Sequence, residues 1–219
     1  SLERMVSCWN TPTECLPKST IVSRWGTGKQ GKEKPHTRRV NRFKKRSRYF
    51  VKEYAGHTNS NPHIHYVVDW ICEHLEQCLE ASVRWRPVLI HGDLHPENII
   101  LNQDGITILD WQTTSLGSPL LDISRLLLDG IPQLNANVFF ERTGSILSQC
   151  NLHIRTDPYL KETSSPAIAA ILSYAGFISG WGGKDIANLS HREQSLVKHH
   201  ASEHGPTNLI YELISYTDF

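Results

Sequence analysis

The chain has no C-x-x-C pair, and its five cysteines (Cys8, Cys15, Cys72, Cys78, Cys150) are odd in number. Neither a zinc site of paired thiolates nor a disulfide framework is implied, so a reducing cytoplasm is the expected setting. No basic-then-apolar segment reads as a signal peptide. The longest apolar stretch, Pro166 to Trp181, is interrupted by Ser173, Gly176, Ser179 and Gly180 and falls short of a membrane span; a buried helix is expected there. Repeats and low-complexity tracts are also missing. Acids are scarce at the front: residues 1 to 60 hold 14 Lys and Arg against 4 acids, whereas residues 61 to 219 hold 9 against 18. A net charge of +1 therefore hides a basic front end and an acidic body, and the body favours a cationic ligand. At 219 residues and 39% hydrophobic, there is material for one sizeable core or two small ones.

The richest stretch runs from Val88 to Asp129. An apolar run, Val88 to Ile90, delivers His91-Gly92-Asp93, and Asn98 follows five residues after Asp93. Two further apolar runs, Ile99 to Leu101 and Ile106 to Leu109, are separated by Asn102-Gln103-Asp104-Gly105, which predicts a β-hairpin. Asp110 stands at its exit. A loop carrying Asp93 and Asn98 is thus followed by a ribbon that returns a second carboxylate, so three oxygen donors are expected to converge. Two carboxylates held close repel unless a cation lies between them or one works on a proton. A carboxylate and an amide oxygen with open positions beyond them are what Mg²⁺ takes when it holds substrate phosphates. The other carboxylate is then free to act as a base.

On these residues, H-G-D-L-H-P-E-N followed by a hairpin and I-L-D-W, the chain resembles the aminoglycoside phosphotransferase and choline kinase-like family of small-molecule kinases. The resemblance covers Val88 to Leu128. It implies an α+β, protein-kinase-like fold with a mostly helical C-terminal lobe, a catalytic-loop hairpin and a reduced N-terminal β segment. It further implies transfer of the terminal phosphoryl group of ATP or GTP, with Mg²⁺, to a hydroxyl of a small molecule. Asp93 would be the catalytic base, Asn98 and Asp110 the metal ligands, and His91 and Asp122 structural supports of the loop. Gly92 stands where many protein kinases carry an Arg that pairs with a phosphorylated loop, so that regulation is not expected. Only eleven residues separate Asp110 from Asp122, too few to dock a peptide, and a small hydroxylated substrate fits better. Trp111 reads as core packing.

In front of this stretch, Gly26-Thr27-Gly28-Lys29-Gln30-Gly31 matches G-x-G-x-x-G, Arg39 to Phe43 could be a strand, and Arg48 to Tyr54 reads as a strand containing Lys52. In a kinase lobe Gly26, Gly28 and Gly31 would approach the nucleotide phosphates and Lys52 would bind them. Yet only 38 residues lie between Lys52 and His91, and Asn61-Pro62 starts a helix whose period, Val67, Val68, Ile71, Leu75, Cys78 and Leu79, fills most of that interval. The expected division is therefore 1–60, an incomplete nucleotide lobe or basic flexible segment, and 61–219, a helical lobe. Two other functions stay open: a remnant that binds ligand without phosphorylating it, and nucleic-acid binding through the basic residues of 24–48.

Helices are expected over Val138 to Cys150, Pro166 to Trp181, Ser190 to His200 with a Ser190-Glu193 capping box, and Thr207 to Tyr216. His200 and His204 sit four apart and are expected to be a solvated pair, as are His63 and His65. His95 is expected to pack and hydrogen-bond.

Overall fold

The structure, a computed structural model, describes residues 35–54, 61–83, 85, 87–103, 105–150, 164–217 and 219. In chain order these form α1 (Pro35–Tyr54), α2 (Ile64–Ser82), β1 (Val88–Ile90), β2 (Ile99–Asn102), β3 (Gly105–Ile108), β4 (Ser115–Gly117), α3 (Pro119–Gly130), α4 (Ala136–Gln149), α5 (Ser164–Trp181), α6 (His191–Ala201) and α7 (Pro206–Ile214). The class is α+β and mostly helical, as the sequence predicts.

Helix α5 lies at the centre because it carries no charged residue and leaves only a narrow strip at Gly176 and Gly180 exposed. Ala167, Ile168, Ala169, Ala170, Ile171, Tyr174, Phe177 and Ile178 are all buried. Its alanines let neighbours come close, and α1, α2, α3 and α7 all pack against it. The expectation of a buried helix holds, and no helix among the described residues is long and apolar enough to cross a membrane. Helix α2 begins at Ile64 rather than at a cap on Asn61. The buried Asn61 side chain accepts the His63 N–H at 2.8 Å, forming a turn ahead of the helix. The Ser190-Glu193 capping box at the start of α6 is present in full.

The two N-terminal strands expected over Arg39–Phe43 and Arg48–Tyr54 are not formed: both lie in α1. Phe43, Ser47 and Phe50 are buried, with Val40 and Val51 packed beside the core. That spacing of three, four and three residues puts one stripe against α2 and α5, whereas a strand would have alternated the same residues between two faces. Lys52 consequently sits exposed in the last turn of a helix, not on a sheet. Gly26, Gly28 and Gly31 lie outside the described residues.

The strands form two antiparallel pairs. In one, β1 pairs with β4 through Val88 to Gly117, Leu89 to Leu116 and Ile90 to Ser115. The other is the predicted hairpin, with Ile99 opposite Ile108 and Asn102 opposite Gly105. The segment from His91 to Asn98 leaves the first pair and enters the second.

Candidate active site

As β1 ends, the chain turns sharply through His91-Gly92-Asp93. Gly92 has φ +82°, and a Cβ there would collide with the Thr113 carbonyl oxygen, so the turn admits glycine for both reasons. Asp122, in the first turn of α3, holds the turn from below. Its Oδ2 accepts the His91 N–H at 2.7 Å and its Oδ1 accepts the Gly92 N–H at 2.9 Å. Burial pushes the Asp122 carboxyl above its ordinary value, while the two N–H donors pull against that shift.

The buried His91 ring is fixed at both nitrogens. Nε2 donates to the Leu109 carbonyl at 2.7 Å, and Nδ1 accepts the Asp93 N–H at 3.3 Å. Because Leu109 N–H in turn donates to the Asn98 carbonyl at 2.8 Å, one imidazole ties the loop to the far strand of the hairpin. Asn98 closes the loop on itself: its Nδ2 donates to the Asp93 carbonyl at 3.0 Å and lies 3.1 Å from His95 Nε2. Both contacts use the amide nitrogen, which leaves the amide oxygen as the donor atom for a cation.

Asp110 follows Leu109, so these bonds bring it to the neighbourhood of Asn98. It is exposed, has φ 55° and ψ 59°, and makes no capping bond with its side chain. A non-glycine residue in the left-handed region is uncommon, and such positions collect at functional sites. Asp93 is half-exposed, with its carboxylate 3.8 Å from Arg125 Nε and 3.9 Å from His95 Nε2. Trp111 is 43% exposed rather than in the core. Its Nε1 donates to the Ile108 carbonyl at 2.9 Å and its ring leans on His91, with ring centroids 4.8 Å apart. Among the described residues, no group of three or more His, Cys, Asp and Glu side chains is placed for a metal.

A model of a phosphotransferase enzyme family, APH, matches residues 30–145, more than half of the chain. The chain belongs to that family. No curated protein matches it. Among solved structures, the APH chain is similar to LicA in complex with AMP, at 16% identity and a TM-score of 0.41, over 80% of this chain and 54% of that one. It is also similar to choline kinase from Cryptosporidium parvum Iowa II, at 13% identity and a TM-score of 0.43, over 98% and 62% respectively. The choline kinase LicA from Streptococcus pneumoniae gives 15% identity and a TM-score of 0.39, over 83% and 66%. The APH chain spans about half to two thirds of the length of these structures.

Arg125 and Asp129, which sequence reasoning left out, and His200, which it read as solvated, form a group beside Asp93 in this APH chain. Arg125, on α3, donates from Nη2 to Asp129 Oδ2 at 3.1 Å. Asp129 Oδ1 accepts from His200 Nε2 at 2.9 Å. His200, expected to be solvated, is fully buried and stacks on Phe177 with ring centroids 3.6 Å apart. It belongs on the inner stripe of α6 with Val197 and Ala201, and only His204 remains exposed. Burial lowers His200 to about 4 although its bond to Asp129 raises it. Burial also pushes Asp129 up, but the His200 hydrogen bond and the Arg125 charge outweigh this and hold it below its ordinary value. A neutral ring with its proton on Nε2 agrees with Nδ1, which is buried without a hydrogen-bond partner. The signal for this group was in the sequence: Asp122, Arg125 and Asp129 are charged residues at i, i+3 and i+7 on an otherwise apolar helix.

Proposed function

We propose that the APH chain is a phosphotransferase lobe that moves the terminal phosphoryl group of a Mg²⁺-bound nucleoside triphosphate to a hydroxyl of a small molecule. The observation that carries this is the arrangement of Asp93, Asn98 and Asp110 around one pinned loop and hairpin, in a chain of this family. Asp93 is the base. The acceptor oxygen attacks the terminal phosphorus, its proton passes to the Asp93 carboxylate, the bond to the bridging oxygen breaks, and the nucleoside diphosphate leaves. His91 and Asp122 keep the loop in register, so that Asp93 meets the hydroxyl without first reorganising.

Asn98 and Asp110 fit a hard divalent cation. One offers an amide oxygen whose nitrogen is already engaged, and the other an exposed carboxylate without a capping bond. Bound there, Mg²⁺ neutralises charge on the phosphates. The acidic body favours a cationic acceptor such as an amino alcohol or aminosugar.

Turnover by this chain alone is slow. α1 takes up the residues that would have supplied two strands of a nucleotide lobe, and α2 fills most of the interval between Lys52 and His91. Among the described residues, the loop and hairpin are then the main hold on the phosphates, and each charge interaction weakens as water reaches it. Calorimetric titration with ATP or GTP, with and without Mg²⁺, tests the assignment. Mg²⁺-dependent nucleotide binding supports it, and binding indifferent to Mg²⁺ refutes the ligand roles of Asn98 and Asp110.

A further inference from the structure

Building on the phosphotransfer function proposed above, we infer that Arg125 is a positioning residue for Asp93, itself held in place by the buried Asp129–His200 pair. Arg125 projects from the same helix face as Asp122, one turn further on. Its Nε stands 3.8 Å from Asp93 Oδ1, its Nη2 is bound by Asp129, and its guanidinium lies 5.5 Å from the centre of the Phe177 ring. The fork is therefore fixed from two sides before it reaches Asp93.

His95 cannot do the same work. Its Nε2, the atom nearest Asp93 Oδ2, faces the Asn98 amide nitrogen at 3.1 Å. Asn98 Nδ2 has only protons to offer, so His95 Nε2 accepts there and has none to give Asp93. Orientation of the carboxylate falls to Arg125, which engages Oδ1 and leaves Oδ2 for the acceptor hydroxyl. A separation of 3.8 Å is longer than a hydrogen bond; such contacts commonly tighten only once substrate is bound.

The position is costly unless it has such a use. Arg125 Nε is buried with no hydrogen-bond partner, and an unpaired buried donor destabilises a fold. An apolar residue would have suited the packing against Phe177, and buried ion pairs are often replaceable by apolar residues without loss of stability. His200 supports the pair from α6. At the other end of that helix, the exposed Arg192 donates to Glu97 at 2.8 Å, so α6 grips the loop near Asp93 at Glu97 and α3 at Asp129.

Two readouts on the full chain test this. Single-turnover transfer of labelled phosphate, comparing Arg125→Lys, Asp93→Asn and the double variant, separates positioning from binding. A misplacement of about 1 Å costs on the order of 100-fold, so Arg125→Lys should lower the rate by roughly 10- to 100-fold. Its nucleotide KM should stay within about twofold, and it should add little once Asp93 is Asn. A wild-type rate in Arg125→Lys, or a full multiplicative loss in the double variant, overturns the inference. The second readout needs no activity: the Arg125 Nε–H resonance in a nitrogen-15 spectrum should move on Asp93→Asn, a half-exposed change that leaves the fold intact. An unmoved resonance overturns the inference even if Arg125 variants fail to fold. Absence of transfer to any acceptor by the wild type would instead refute the phosphotransfer function, and the resonance would still decide whether Arg125 holds Asp93.

Discussion

Lowering the pH from 7.5 to 5 should destabilise this protein through one side chain, His200. Its ordinary value of 6.5 falls to about 4 in the folded chain, chiefly because burial penalises the charged ring. Between those values the unfolded chain binds a proton that the native chain does not. Stability from this group is therefore fully present above about 6.5 and is lost as pH falls toward about 4. At pH 5 the linkage amounts to about 2 kcal/mol, a large part of a typical total of about 5–15 kcal/mol. Asp129 loses its contribution only at lower pH, as the solution passes down through its depressed value. Asp122 acts in the opposite sense, its burden growing as pH rises above the ordinary carboxylate value toward its raised one. Comparison with His200→Gln cancels both, because glutamine offers Asp129 a donor and gains no proton. Urea unfolding at pH steps between 7.5 and 5 should show the wild type losing about 2 kcal/mol more than the variant. Parallel curves for the two proteins would refute the buried, neutral His200.

Asp93→Asn should cut phosphoryl transfer by about 10²- to 10⁴-fold in a labelled-product assay, with nucleotide affinity by calorimetry nearly unchanged. Asp110→Asn should abolish Mg²⁺-dependent nucleotide binding and leave the circular dichroism spectrum alone, since asparagine tolerates the positive φ as aspartate does. Gly92→Ala should cost at least about 2 kcal/mol in denaturant unfolding, from the left-handed backbone and the collision with Thr113 together. Steady-state turnover of this chain with any single acceptor should fall below the usual kinase range of about 1–100 s⁻¹; turnover inside that range would mean the nucleotide is held by more than the loop and hairpin.

The site loop was legible in the sequence because its chemistry is local. Gly92, Asp93 and Asn98 lie within seven residues of one another, and the hairpin that returns Asp110 shows as two short apolar runs with turn residues between them. Helix α2 was legible from its period, α5 from its apolar run, and α6 from its capping box, and α4 and α7 were also expected. Helix α1 was misread because its run Arg48 to Tyr54 mixes aromatic and β-branched residues that favour strands, whereas its contacts with α2 and α5 reward the three-and-four spacing of Phe43, Ser47 and Phe50. The Arg125–Asp129–His200 group joins residues up to 75 positions apart on three turns of α3 and α6. No local pattern announces that a histidine near a solvated C-terminal turn will instead stack under Phe177.

Transfer of label from terminal-phosphate-labelled ATP, with Mg²⁺ and a panel of hydroxylated amines and sugars, tests the central claim most directly. The account predicts slow labelling of at least one acceptor, abolished without Mg²⁺ and reduced by about 10²-fold or more in Asp93→Asn. Nucleotide bound with no label reaching any hydroxyl, or transfer undiminished in Asp93→Asn, would contradict it.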